Sequence, residues 1–314
     1  MKQYLDLAQK ILTHGSQKPP SRKGQSGTIS LFGTRMEFDL NDGFPLLTTK
    51  KMFVRGILTE LIWFLKGDTN IKPLVDNNVN IWNKDAFRYF HKKRPYSTIK
   101  IDEFIEAIKD GNKLHYLNCQ DYTMGDCGKI YGHQWRDQNG KDQIEYLLNQ
   151  LKNNKFGRYN IIDGWNLSDL DNMALPVCHL LYQFNVRPVD NVEYLDLQMY
   201  QRSCDFFLGV PFNIASCAFL VHFLGALLGY KVGKLVWVGG DTHIYNSHID
   251  AINTQLSRKP KKLCTLETNI SEINDVTEII GYIDGLKYTN LNDLFSLVGY
   301  DSHPRIKAEL DAGV

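Results

Sequence analysis

Cys178 sits in Ala174-Leu175-Pro176-Val177-Cys178-His179, where the proline turns the chain and the residues that follow suit a strand. A cysteine there is a nucleophile if an arginine or a histidine stabilises its thiolate, and a small inert hydrophobe if nothing does. His179 is adjacent, but on a strand it would point to the opposite side. Glu60 lies within the apolar run Leu58-Thr59-Glu60-Leu61-Ile62. A carboxylate is costly there unless paired, and burial raises its pKa toward values useful for proton transfer. The competing reading is a structural ion pair with Arg55 or Lys66. Gln201-Arg202-Ser203-Cys204-Asp205 puts an arginine and a serine at a strand end, which suits a phosphate. Asn213 stands where a helix N-cap is expected, yet its amide can equally pair with a donor and an acceptor on a base edge. Asp241-Thr242-His243-Ile244-Tyr245 brings His243 and Tyr245, both suited to sugar hydroxyls, to one side of a strand or turn.

Positioning such groups requires a scaffold, and hydrophobic periodicity outlines one. Tyr4, Leu5, Ala8, Ile11 and Leu12 recur at helical intervals, which predicts an amphipathic N-terminal helix rather than a signal peptide. Thr28–Phe32 and Met36–Leu40 alternate in polarity around Gly33 and predict a hairpin. From Phe53 to Leu65 apolar residues run nearly all the way round, predicting a buried helix that carries Glu60. His91–Asp126 changes character, with basic residues, Pro95 and a modest helix at Ile101–Ile108 ending near Gly111, and reads as a peripheral insertion. Strands are predicted at Asn160–Trp165, Leu180–Val186, Tyr194–Tyr200 and Lys234–Val238, with Gly239 and Gly240 loosening the segment after the last. Ile214–Tyr230 is the most apolar stretch. It is short, holds His222 and two glycines, and has polar sequence on both sides, so it predicts a buried core helix and not a membrane span. Helices and strands mix without a regular βα repeat, which predicts an α+β fold, taken as one domain over residues 1–314.

Composition narrows the function classes. A chain of 314 residues, 43% hydrophobic, can bury a substantial core. Its 36 basic and 35 acidic side chains nearly cancel, so no whole-protein field draws nucleic acid or an acidic membrane, and any phosphate contacts must be local. Six scattered cysteines and nine histidines form no zinc pattern, which predicts no metal and a reducing, cytoplasmic setting. No P-loop or dinucleotide fingerprint is present.

Together these segments resemble the thymidylate synthase family, from about Arg22 to Ala308. The resemblance is carried by Gly27-Thr28, Phe32-Gly33, Gly43-Phe44-Pro45-Leu46-Leu47-Thr48-Thr49-Lys50, Glu60-Leu61-Ile62-Trp63-Phe64-Leu65, Gly67-Asp68-Thr69-Asn70, Ile81-Trp82, Tyr131-Gly132 and Gln134-Trp135-Arg136. It continues through Trp165-Asn166, Met173-Ala174-Leu175, Cys178-His179, Gln183-Phe184, Arg202-Ser203-Cys204-Asp205, Leu208-Gly209, Pro211-Phe212-Asn213, His243-Ile244-Tyr245, Gly299-Tyr300-Asp301 and His303-Pro304. It implies a large mixed β-sheet packed against helices and a homodimer formed sheet to sheet. It further implies that Cys178 adds to C6 of the uracil of dUMP, and that C5 then attacks the methylene of 5,10-methylenetetrahydrofolate. On this resemblance Glu60 moves protons, Tyr131 assists removal of the C5 proton and Asn213 reads the base. Arg22, Arg202, Ser203 and Cys204 belong to the phosphate side, His243 and Tyr245 to the deoxyribose. Lys50, Ile81, Trp82, Asp205, Gly209 and Phe212 fall to the folate site.

The resemblance also implies that each site borrows arginines from the neighbouring subunit. Arg158 matches one of them, while Tyr159 replaces the next, so one phosphate contact is lost and weaker dUMP binding is expected. Phe53 stands where many relatives carry a folate-contacting histidine, and Val177 replaces the proline usual before the nucleophile. The tail Glu309-Leu310-Asp311-Ala312-Gly313-Val314 is longer and less apolar than the family's lid, which closes over folate and excludes water. A dUMP hydroxymethylase, in which water captures the methylene, is therefore the alternative. A deoxycytidylate hydroxymethylase would carry an aspartate at Asn213, and a silent nucleotide- or RNA-binding relative would have lost Cys178, Glu60, Tyr131 or Asn213.

Overall fold

The computed structural model describes residues 1–111 and 122–311. Cys119 and the rest of 112–121, within the predicted insertion, lie outside the described residues, as do Ala312, Gly313 and Val314 of the tail. One sheet runs in the order β1-β2-β6-β5-β4-β3, formed by β1 (Ser16–Lys18), β2 (Thr28–Asp39), β3 (Ile161–Asp163), β4 (His179–Val189), β5 (Val192–Asp205) and β6 (Lys231–Tyr245). The helices are α1 (Lys2–His14), α2 (Val54–Leu65), α3 (Lys72–Asp76), α4 (Asn83–Lys93), α5 (Ile101–Asp110), α6 (Tyr131–Asp137), α7 (Gln143–Asn153) and α8 (Gly209–Leu228), with shorter ones after β6.

β5 and β6 are parallel and the other neighbouring pairs antiparallel, which makes the sheet mixed and the fold α+β. Parallel strands cannot be joined by a tight turn. Their link is α8, whose Val210, Ile214, Phe219 and Phe223 are buried as it packs on both strands. This is the apolar stretch that passes for a membrane span by composition, and it forms the centre of the core. α2 packs on α8 and α6, and its Ile57, Leu58, Leu61, Ile62 and Leu65 are buried.

The N-terminal hairpin is not formed. Thr28–Asp39 is a single strand paired with β6 along its whole length, because that distant partner satisfies its backbone on both sides of Gly33. Gly33 takes a φ of +74° without shifting the register, with Phe32 opposite Asp241 and Thr34 opposite Gly239. Gly239 and Gly240 likewise do not loosen their segment, since β6 runs through them. A Cβ on Gly239 would meet Thr242 Oγ1 and the Trp237 ring, both at 2.4 Å, so the glycine is there for close packing.

The described ends of the predicted insertion rest on the body. The ring of Phe104 of α5 lies tilted against that of Phe90 of α4, 5.2 Å between ring centroids. Thr69 Oγ1 donates to Asp126 at 2.7 Å, and Asn70 Nδ2 to the Met124 carbonyl at 2.9 Å.

Candidate active site

Cys178 ends the loop that feeds β4, and the loop is held by Arg202 of β5, whose Nε and Nη2 donate to the carbonyls of Val177 (2.8 Å) and Pro176 (2.7 Å). Burial pushes the Cys178 thiol up, while the Arg202 guanidinium pulls it the other way. The Cys178 and His179 backbone N–H groups donate to Tyr131 Oη at 2.7 and 3.4 Å. With its lone pairs so engaged, the Tyr131 hydroxyl proton is left to donate elsewhere.

Glu60 pairs with neither Arg55 nor Lys66, which bond to Asn77 Oδ1 and the Leu286 carbonyl. Its partner is Trp82, whose Nε1 donates to Oε1 at 2.7 Å. One neutral donor does not offset desolvation, and the Glu60 pKa rises to about 7. Trp82 is itself fixed by ring contacts with Trp63 and Phe64 of α2 and with Tyr131.

Asn213 is not the helix cap; α8 begins at Gly209, one turn earlier, because the Asp205 carboxylate accepts from the N–H groups of Phe207 and Leu208 just before it. The amide orientation of Asn213 follows from a chain of donors. Trp237 Nε1 can only donate, and it does so to Gln201 Oε1 at 2.9 Å. Gln201 Nε2 therefore faces Asn213 Oδ1, at 3.0 Å, and the Asn213 NH2 points away from Gln201.

His179 does not point away from this group. It opens β4 across a register shift between His179 and Leu181, where simple alternation fails. Its ring lies 5.3 Å from that of Tyr131, its Nδ1 bonds Tyr182 Oη at 2.9 Å, and burial holds its pKa down at about 4, opposed by a hydrogen bond with Asn213.

Cys178, Arg202, Tyr131, Glu60, Trp82, Asn213, Gln201 and His179 line one cleft of about 1420 Å³, together with Arg22, Ser203, His243 and Tyr245. The folate-side residues Lys50, Ile81, Trp82, Asp205, Gly209 and Phe212 line the same cleft. Lys50 donates to the Phe207 carbonyl and sits 3.7 Å over its ring; burial lowers its pKa to about 7, with Asp205 opposing and Arg305 adding to the fall. Tail residues from Arg305 to Asp311 close one side, and Asp311 accepts from Ser26 N at 3.1 Å and Ser247 Oγ at 2.6 Å.

Two expected residues are not in this group. Cys204 is fully buried with Sγ 3.2 Å from the Gln201 carbonyl, so its side chain faces the core and not a ligand. Arg158 is exposed and outside the cleft, next to Tyr159 at 68% exposure. Sequence reasoning gives no role to Gln201 or Asp241, and strand alternation wrongly turns His179 away from the site. For Asp241 a signal existed, since an acid two residues before a histidine on a strand shares its face. Among the described residues no cluster of metal-ligating side chains occurs.

The fold and cleft are those of an enzyme whose site holds a single cysteine, with an acid of raised pKa and an oriented amide on the same walls. The family model described as Thymidylate synthase matches residues 2–312, and the chain belongs to that family. It is 42% identical over 311 residues to a thymidylate synthase of Mesoplasma florum, covering 99% of each chain. It is 42% identical over 310 residues to that of Mycoplasma mobile and 43% over 310 to that of Mycoplasma pneumoniae, again over 99% of both chains.

Proposed function

We propose that this chain methylates dUMP reductively to dTMP, taking a one-carbon unit and a hydride from 5,10-methylenetetrahydrofolate and releasing dihydrofolate. The observation that carries the reading is the convergence of Cys178, Glu60, Tyr131 and Asn213 on one cleft. Cys178 Sγ forms a bond to C6, and the C5–C6 electron pair moves toward O4, leaving C5 nucleophilic. The Asn213 NH2, turned away from Gln201, donates to O4. Glu60, titrating near neutrality, carries protons to and from O4, and the Tyr131 hydroxyl assists departure of the C5 proton. Elimination then breaks the Sγ–C6 bond and restores the thiolate. The reduced folate supplies the carbon and the reducing electrons.

The folate fits the residues present. The cleft exceeds the roughly 300–1,000 Å³ of a site for one small ligand. Its apolar wall of Ile81, Trp82 and Phe212 suits a flat ring, the Asp205 carboxylate suits ring N–H donors, and Lys50 suits an anionic end.

The chain acts as one cytoplasmic catalytic domain over residues 1–314 with an insertion at about 91–126, needs neither nucleic acid nor membrane, and works as a homodimer. Leu181, Tyr200 and Val238 are neighbours across β4, β5 and β6, are only half-buried, and give a sheet face for a second copy. Arg158 then reaches the phosphate of the partner's dUMP.

Purified protein is incubated with dUMP and methylenetetrahydrofolate, following dihydrofolate by absorbance and the nucleotide by mass. Equal amounts of dihydrofolate and dTMP are expected. Hydroxymethyl-dUMP without dihydrofolate, or no product, overturns the reading.

A further inference from the structure

Resting on the dUMP reading, we propose that Asp241 is a positioning residue for the sugar: it fixes the proton of the His243 imidazole on Nδ1, so that Nε2 accepts a hydrogen bond from the 3′-hydroxyl and selects nucleotides that carry one. Asp241, His243 and Tyr245 alternate along β6 and all line the cleft. His243 Nδ1 meets two acceptors, Asp241 Oδ1 at 3.1 Å and the Asp241 carbonyl at 3.2 Å. Neither can donate while the carboxylate is ionised, so the shared proton belongs to the ring. The carboxylate is kept ionised. The hydrogen bond from His243 first, then those from Lys18 and Ser30, hold its pKa well below the usual carboxylate range against burial, with Lys18 Nζ at 2.6 Å and Ser30 Oγ at 2.9 Å.

A neutral imidazole with its proton on Nδ1 offers only a lone pair at Nε2. That nitrogen has no protein partner among the described residues. The Tyr245 ring stands edge-on at 5.0 Å and limits imidazole rotation. A hydroxyl satisfies the lone pair, whereas a 3′-deoxy carbon set against it offers no donor and keeps water from it. Lys18 belongs to β1, and the loop that follows it carries Arg22, so the same carboxylate ties the sugar contact to the segment on the phosphate side.

The test compares dUMP with 2′,3′-dideoxyuridine 5′-monophosphate in the unsubstituted chain, in Asp241→Asn and in Lys18→Met. Without the 3′-hydroxyl, kcat/KM of the unsubstituted chain falls about tenfold, chiefly through KM. In Asp241→Asn the amide turns its NH2 to Nδ1 and the proton moves to Nε2, so KM for dUMP rises and the two nucleotides become nearly equal, with kcat changing less. Lys18→Met, which leaves the carboxylate on the ring, keeps the preference. Histidine 15N spectra, assigned with a His243→Gln sample, show Nδ1–H in the unsubstituted chain and Nε2–H in Asp241→Asn. An unchanged ratio in Asp241→Asn, equal loss in Lys18→Met, or Nε2–H in the unsubstituted chain overturns the inference alone. Failure of the unsubstituted chain to turn over dUMP overturns the proposed function with it.

Discussion

Glu60 shows how a reactive group costs stability. Its pKa is near 7 in the fold and about 4.5 when the chain is unfolded, so between those values the folded state holds the extra proton. Stability contributed by Glu60 is thus fully present below pH 4.5 and is lost as pH rises to about 7, by up to roughly 3 kcal/mol. Glu60→Gln, which stays neutral, should match the unsubstituted chain in urea denaturation at pH 5 and exceed it at pH 8, while losing turnover. Equal stability at both pH values would mean that Glu60 is not desolvated. Asn213→Asp is the second residue-scale prediction. Gln201 still meets an acceptor, but the NH2 proposed to face O4 becomes a carboxylate oxygen, which would repel a carbonyl and welcome an amino group. The ratio of kcat/KM for dUMP over dCMP should fall by at least about tenfold.

At the scale of elements, the described part of the tail is held by particular hydrogen bonds. Asp311 bonds Ser26 and Ser247, Gln25 Nε2 donates to its carbonyl at 3.1 Å, and His248 Nε2 bonds the Glu309 carbonyl at 2.8 Å. Asp311→Ala should speed amide exchange over residues 305–311 and raise KM for the reduced folate about tenfold, with KM for dUMP less affected. Steady-state kinetics and exchange mass spectrometry check both. The elements differ in how much the sequence reveals. α2 and α8 were legible because a long apolar surface has few solutions. β2 looks like a hairpin in sequence because its partner β6 lies about 200 residues away and a glycine with positive φ looks like a turn from local pattern alone. Cys178, Glu60 and Asn213 stand out by residue type and neighbourhood. His179, Gln201 and Asp241 do not, because each acts through a hydrogen bond to a distant segment or across a register shift that alternation cannot anticipate.

At the scale of the molecule, the phosphate side of the proposed dUMP site offers two arginines of its own chain. Arg22 and Arg202 line the cleft, but so do the carboxylates of Asp85, Asp241 and Asp311. Arg202 already spends its Nε and Nη2 on the carbonyls that hold the nucleophile loop. On the proposed function a further arginine comes from a second copy, and the candidate is Arg158, which is exposed and outside its own cleft. Complementation decides this. Arg158→Glu would repel phosphate in the site it serves, and Cys178→Ser would abolish turnover in its own site without disturbing the fold. Each homodimer alone should be nearly inactive. When the two are unfolded together and refolded, a mixed dimer contains one site with Cys178 intact and Arg158 supplied by the Cys178→Ser subunit. Random pairing makes half of the dimers mixed, so roughly a quarter of wild-type activity should return, with a normal KM for dUMP in the recovered sites. If Arg158 acted within its own chain, every site would carry one defect or the other, and mixing would restore nothing.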